Sequence, residues 1–169
     1  EMAEFDSAEK IKIDFAEAFS TDVMTGDRDK RMHLYYQLIQ SLKKADSVDI
    51  IVSFLMESGV KMLLEELDNA LKRGAKIRIL TGNYLGITQP SALYLLKKKL
   101  GSRVDMRFYN EKDRSFHPKS YIFHYRGYND IYIGSSNISR SALTSGIEWN
   151  YRFSSVSDPK NYEKFYHAF

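Results

Sequence analysis

The sequence contains no cysteine, which excludes a disulfide framework and any thiolate-bound metal or cluster and leaves four histidines as its softer ligands. It has no apolar run near the roughly 20 residues that a membrane-spanning helix needs, so no membrane partner is expected. There is no strong excess of either charge: 25 basic against 22 acidic residues give +3, too small a balance to argue for or against a nucleic-acid partner. A basic-then-apolar signal segment is lacking, which together with the missing cysteines suits a cytoplasmic setting. No internal repeat or low-complexity stretch is found, so any second catalytic half would come from another molecule or from sequence elsewhere. The chain opens on Glu1 and stops inside a helical pattern at Phe169, the expected mark of a fragment of a longer protein.

What is present is ordinary for a globular domain: 169 residues, 43% hydrophobic and 28% charged. Residues 1–28 mix Asp, Ser, Thr and Gly with scattered Phe and close on a Thr25-Gly26-Asp27 turn, which reads as a leader before a domain at 29–169. From Arg31 to Lys44, Leu34, Leu38, Ile39 and Leu42 recur at helical spacing, and residues 47–54 form a β-branched run. Ser58 to Arg73 places Val60, Leu63, Leu64, Leu67 and Leu71 on one helical face, Gly74 supplies a stop, and residues 75–81 read as a buried strand. A helix at 90–100 and a strand at 104–109 repeat the alternation. Residues 120–125 and 130–133 then predict an antiparallel hairpin, residues 147–156 one more strand, and Asp158-Pro159 a helix start. The expected fold class is α/β, a mixed β-sheet flanked by helices on both faces.

The chemistry concentrates between residues 117 and 148. In His117-Pro118-Lys119, at a strand entry, residues two apart project to one face, so an imidazole and an ammonium would sit side by side. Imidazole near its pKa can act as nucleophile or general acid, and the fixed cation stabilises phosphate charge while favouring the neutral ring. Gly134-Ser135-Ser136-Asn137-Ile138-Ser139 is a glycine-led loop at a strand end, with hydroxyls and an amide to hydrogen-bond phosphate oxygens. Gly146-Ile147-Glu148-Trp149-Asn150 places a carboxylate at the start of the next strand, where it could hold a histidine Nδ1–H. Each part alone is unspecific, and the ordered set carries the reading.

That order and spacing resembles the phospholipase D superfamily, whose motif runs His-x-Lys, four residues, Asp, then Gly-Ser-x-Asn and a downstream Glu. His117 and Lys119 match the first element, Gly134, Ser135 and Asn137 the second, and Glu148 the acid. The detailed match covers the last third of the chain. One departure is plain: the family Asp falls at His124, on the opposite strand face from residues 117, 119, 121 and 123.

The resemblance implies catalytic roles for His117, Lys119, Asn137 and Glu148 and phosphate binding by Ser135, Lys119 and Asn137. It implies hydrolysis of a phosphodiester through a covalent phosphohistidine, with no metal and no cofactor. A single motif implies a homodimer whose partner supplies the second histidine. The substrate it suggests is DNA, as in restriction endonucleases and helicase-associated domains, with the chain a module attached to other domains of a parent protein. The alternative is a catalytically degenerate module that binds nucleic acid or dimerises, and phospholipid chemistry ranks last because no basic amphipathic segment is present. Lys97, Lys98, Lys99, Arg103, Arg107 and Arg114, interleaved with Tyr109 and Phe116, are candidates for a phosphate-tracking surface, although a solvated helix end and core aromatics account for them as well. His33 and His167 read as surface or helix-end residues, Met56, Met62 and Met106 as core filler, and Trp149 as packing that fixes the carboxylate's strand or, alternatively, as a wall of the pocket.

Overall fold

A computed structural model describes residues 22–111 and 113–169; residues 1–21, most of the expected leader, lie outside the described residues. Seven strands form one sheet: β1 (Val23–Met24), β2 (Ser47–Val52), β3 (Lys76–Thr81), β4 (Val104–Phe108), β5 (Lys119–Tyr125), β6 (Tyr128–Gly134) and β7 (Asn150–Ser154). Their spatial order is β1-β7-β6-β5-β2-β3-β4. The strands β2, β3 and β4 are parallel and are linked by the helices α2 (Glu57–Lys72) and α3 (Pro90–Leu100). From β5 onward every pairing is antiparallel, so the sheet is mixed, as expected.

Alternation along the strands decides which residues face the main core. Val48, Ile50 and Val52 of β2 and Tyr121 and Phe123 of β5 point to one face. There they meet Leu34, Leu38 and Leu42 of α1 (Leu34–Leu42), Val60, Leu63 and Leu67 of α2, and Ala92, Leu96 and Leu100 of α3. Each fully buried aliphatic side chain contributes roughly 1.5–3 kcal/mol of transfer free energy. On the other face Ile122, Ile131 and Phe153 pack against Tyr162 of α5 (Pro159–Ala168), so helices cover both faces. Asp158 caps α5 by accepting from the Asn161 amide at 3.2 Å, with Pro159 in the first turn.

Several boundaries differ from the periodicity, each for a local reason. The helix expected from Arg31 starts at Leu34, because His33 is extended (φ −106°, ψ 140°). The strand expected at 147–156 is β7 alone, and residues 147–149 form a loop before it. A short helix, α4 (Arg140–Thr144), follows Ser139, whose hydroxyl accepts from the Ala142 amide at 3.2 Å. Within the expected leader, Val23 and Met24 are strand: they pair with Tyr151 and Asn150, and Met24 is fully buried. A two-residue strand has no period to read. Arg152 fastens it, its side chain ion-paired with Asp22 at 2.7 Å and its amide donating to the Asp22 carbonyl at 2.7 Å.

Candidate active site

The sequence-predicted residues meet at one end of the sheet, where β2 and β3 finish, β5 begins and β6 ends. Val52, the last residue of β2, pairs with Lys119, the first of β5. Pro118 is held there because the Ser53 hydroxyl donates to its carbonyl at 3.1 Å. That leaves the His117 imidazole exposed just outside the strand, while the Lys119 side chain lies buried behind it.

Lys119 Nζ lies 2.9 Å from Nδ1 and 2.8 Å from Nε2 of His117 and donates to the His117 carbonyl at 2.9 Å. Desolvation and then the Lys119 charge lower the His117 pKa, so the ring is held neutral, with a lone pair available for attack. Burial also lowers the Lys119 pKa, and the nearby Glu148 carboxylate opposes that shift by favouring the ammonium. The two effects leave a cation beside a neutral imidazole.

The second wall comes from the loops after β6 and before β7. Ser135 and Trp149 bind each other through the main chain: the Ser135 amide donates to the Trp149 carbonyl at 3.0 Å, and the Trp149 amide donates to Ser135 Oγ at 3.0 Å. Gly134 makes this approach possible, since a Cβ there would lie 2.1 Å from the Trp149 carbonyl oxygen. Ser135 Oγ in turn donates to Glu148. Asn137 is buried, and its Oδ1 accepts from the Phe54 amide at 3.2 Å, which leaves its Nδ2 as the donor. The loop is pinned by a parallel bridge between Leu55 and Ile138 and by close contact with α2, where a Cβ on Gly59 would lie 2.5 Å from the Ile138 carbonyl carbon.

Three expectations are corrected. Glu148 lies in the loop before β7 and not at the start of the strand, and its carboxylate accepts from Ser135 Oγ. Trp149 is not a packing residue: it is 71% exposed, and with Ile147 at 84% it forms an apolar rim beside Glu148. The basic residues do not make one surface. Lys97, Lys98 and Lys99 end α3, about 15 Å of helix from the N-terminus that adjoins the site. Arg103 pairs with Asp68 at 2.7 Å and Arg107 with Asp105, and Arg114 lines a cavity with Tyr84, Tyr109 and Phe116. Tyr109 and Phe116 stack on each other, with centroids 4.5 Å apart.

His124 explains the departure from the family motif. It points to the face opposite Lys119, where its Nε2 lies 2.8 Å from the buried Asp49 carboxylate and its Nδ1 lies 3.0 Å from Asn129 Oδ1. Asp49 is also bound by Arg78 through two contacts of 2.6 and 2.8 Å. The substitution is absorbed by this network and does not touch the site. Sequence reasoning missed Tyr84, whose ring lies 4.3 Å from that of His117. Its only sequence signal was a turn-like Gly82-Asn83 step.

Among the described residues no cluster of His, Asp and Glu has the arrangement of a metal site, and no helix is long and apolar enough to cross a membrane.

Comparison with known proteins agrees with this fold. The family described as "Cardiolipin synthase, PLD-like domain" matches residues 38–168, and the chain belongs to it, within the phospholipase D superfamily. Among solved structures it resembles Nuc of Salmonella typhimurium, a phospholipase D family member, at 20% identity and a TM-score of 0.60, over 78% of this chain and 81% of that one. It resembles NucT from Helicobacter pylori at 15% identity and a TM-score of 0.64, over 86% of this chain and 91% of that one. A third likeness, to phosphatidylserine synthase of Haemophilus influenzae, has 15% identity and a TM-score of 0.53 over 83% of this chain but 36% of that one. No protein of curated function matches the chain by sequence.

Proposed function

We propose that the chain is a phosphodiesterase that cleaves DNA with His117 as nucleophile and without a metal ion. The observation that carries this reading is the neutral, exposed His117 imidazole set against the Lys119 ammonium, with Ser135, Asn137 and Glu148 at the same end of the sheet. A ring nitrogen of His117 forms a bond to phosphorus as the ester P–O bond breaks. The departing oxygen takes a proton from the His117 of a second copy, which enters this step as the imidazolium and leaves it as the neutral imidazole. Water then attacks phosphorus, gives its proton to that second imidazole and breaks the P–N bond. Lys119 and Asn137 stabilise the phosphoryl oxygens, and Ser135 joins them by turning its hydroxyl from Glu148 to the phosphate, each donor worth a few kcal/mol in the transition state by analogy with oxyanion holes, typically about 3–4.

The homodimer this requires is supported by the exposed apolar rim of Ile147 and Trp149 beside the site. The proposal also makes the chain a cytoplasmic module of a larger helicase or restriction-type protein, by family resemblance alone. The degenerate alternative draws on His124, but that residue's bonds to Asp49 and Asn129 lie on the far face of the sheet, which favours the enzyme.

The test is cleavage of labelled single- and double-stranded DNA in excess EDTA, comparing wild type with a folded His117→Ala variant and measuring mass in solution. Cutting by a dimer that is lost in the variant is expected. A dimeric wild type that cuts no DNA would overturn the enzymatic reading.

A further inference from the structure

A cavity of about 230 Å³ is lined by Tyr84, whose ring neighbours that of His117, and the site described above does not use it. Its lining includes Asn83, Tyr84, Leu85, Tyr109, Arg114 and Phe116. It is smaller than the roughly 300–1,000 Å³ that encloses a whole drug-sized ligand, so it suits one ring system of a larger substrate.

Its walls are aromatic and fixed. The Tyr84 and His117 ring centroids are 4.3 Å apart, so a group stacked on Tyr84 is one side chain away from the proposed nucleophile. Tyr109 and Phe116 are stacked at 18° to each other and 4.5 Å apart. Phe116 is seated on Gly82, where a Cβ would lie 2.8 Å from its ring, so the aromatic pair cannot shift toward β3. Leu85, 78% exposed, holds a left-handed backbone (φ 53°, ψ 22°) that costs an apolar branched residue energy with no compensating burial. Arg114, Asn83, Asn110 and Glu111, whose carboxylate accepts from the Tyr109 hydroxyl, supply hydrogen-bonding groups to the lining.

Flat aromatic walls, hydrogen-bonding groups beside them and one-ring capacity are what stacking and edge recognition of a nucleobase need. A base inside a duplex is stacked and paired on its own strand and cannot enter without being extruded. We propose that this cavity is a nucleobase subsite that seats one unpaired base next to the scissile phosphate, so the substrate is single-stranded DNA. The inference rests on the proposed phosphodiesterase reading, which it deepens by naming the strand form.

The test uses the whole chain carrying His117→Ala, so that binding is read without cleavage. Fluorescence anisotropy compares a labelled single-stranded oligonucleotide, the same oligonucleotide with single abasic positions along it, and the duplex. One abasic position is expected to weaken binding about 5- to 150-fold, the range that losing one base–aromatic stack produces. Tyr84→Ala in the same background removes that difference, and Tyr84→Phe restores it. Equal binding of the abasic series, or binding of duplex as tight as single strand, would overturn the subsite. These measurements are independent of turnover: absence of cutting by the wild type sinks the enzymatic reading, whereas the abasic comparison still decides the subsite.

Discussion

Lys119 Nζ lies 2.8 Å from Nε2 of His117, so the cation that would meet a phosphoryl oxygen also disfavours protonation of the adjacent ring. Replacing Lys119 with Gln should therefore raise the His117 pKa toward the ordinary histidine value. The rise is partial, because desolvation is the larger cause of the depression and remains. The neutral ring is the nucleophile, so the acid limb of kcat/KM moves to higher pH in the variant, and kcat falls about 10²–10³-fold with loss of one oxyanion donor. NMR titration of His117 in both proteins checks the first effect without needing activity; an unchanged pKa would contradict it.

Restoring the family residue should harm the fold. In His124→Asp a second carboxylate faces the buried Asp49 on a side that now holds an imidazole. Like charges at that separation cost about 1–3 kcal/mol, offset in part by Arg78. Urea unfolding at pH 7 should show the loss, and the gap should narrow at low pH as one carboxyl takes a proton.

Burial pushes the Asp130 carboxyl up to about 6, against the pull of Arg152, whose Nη1 lies 3.6 Å away. Its folded pKa exceeds its unfolded one, so its contribution to stability is complete below about pH 4 and is lost as pH rises through 6. Asp130→Asn removes that dependence. Relative to wild type, the variant should gain about 2–3 kcal/mol between pH 4 and pH 7.5 in denaturant titrations.

Gly134 and Gly127 separate two uses of glycine. A methyl at Gly134 would strike the Trp149 carbonyl and Asn150 Oδ1, so Gly134→Ala should cost about 1–3 kcal/mol and spread the Ser135–Trp149 pairing on which the site depends. Gly127 has nothing within 4 Å but a φ of 94°, so Gly127→Ala should cost about 1 kcal/mol and leave cleavage unchanged. Thermal melts and DNA cleavage on both variants distinguish the two.

If a second copy completes the site, a charge on its apolar rim should separate the subunits. Trp149→Lys is expected to give a folded monomer by sedimentation, with cleavage lost in proportion to the dimer. A fully dimeric variant would place the interface elsewhere.

The ordered set from His117 to Glu148 was legible because its chemistry is carried by residue type and spacing, α2 and α3 because their buried faces repeat at 3.6 residues, and β5 because it is a short β-branched and aromatic run, buried on both faces, that ends at a turn. What could not be read has no period. Two-residue β1 is set by Arg152 holding Asp22, and the loop placing Glu148 against Ser135 is set by main-chain pairing with Trp149. Tyr84 reaches His117 through a turn whose geometry depends on the left-handed Leu85, and no propensity marks a leucine for that conformation.

The hairpin of β5 and β6 carries His117 and Lys119 in at the same end from which Ser135 and Asn137 leave. Its turn at Arg126-Gly127 therefore lies about 20 Å away, six residues of antiparallel strand at about 3.4 Å each. Chemistry and connection occupy opposite poles of one ribbon. A dye, an affinity handle or an entire guest domain spliced in at that turn would ride on the domain without entering the candidate site.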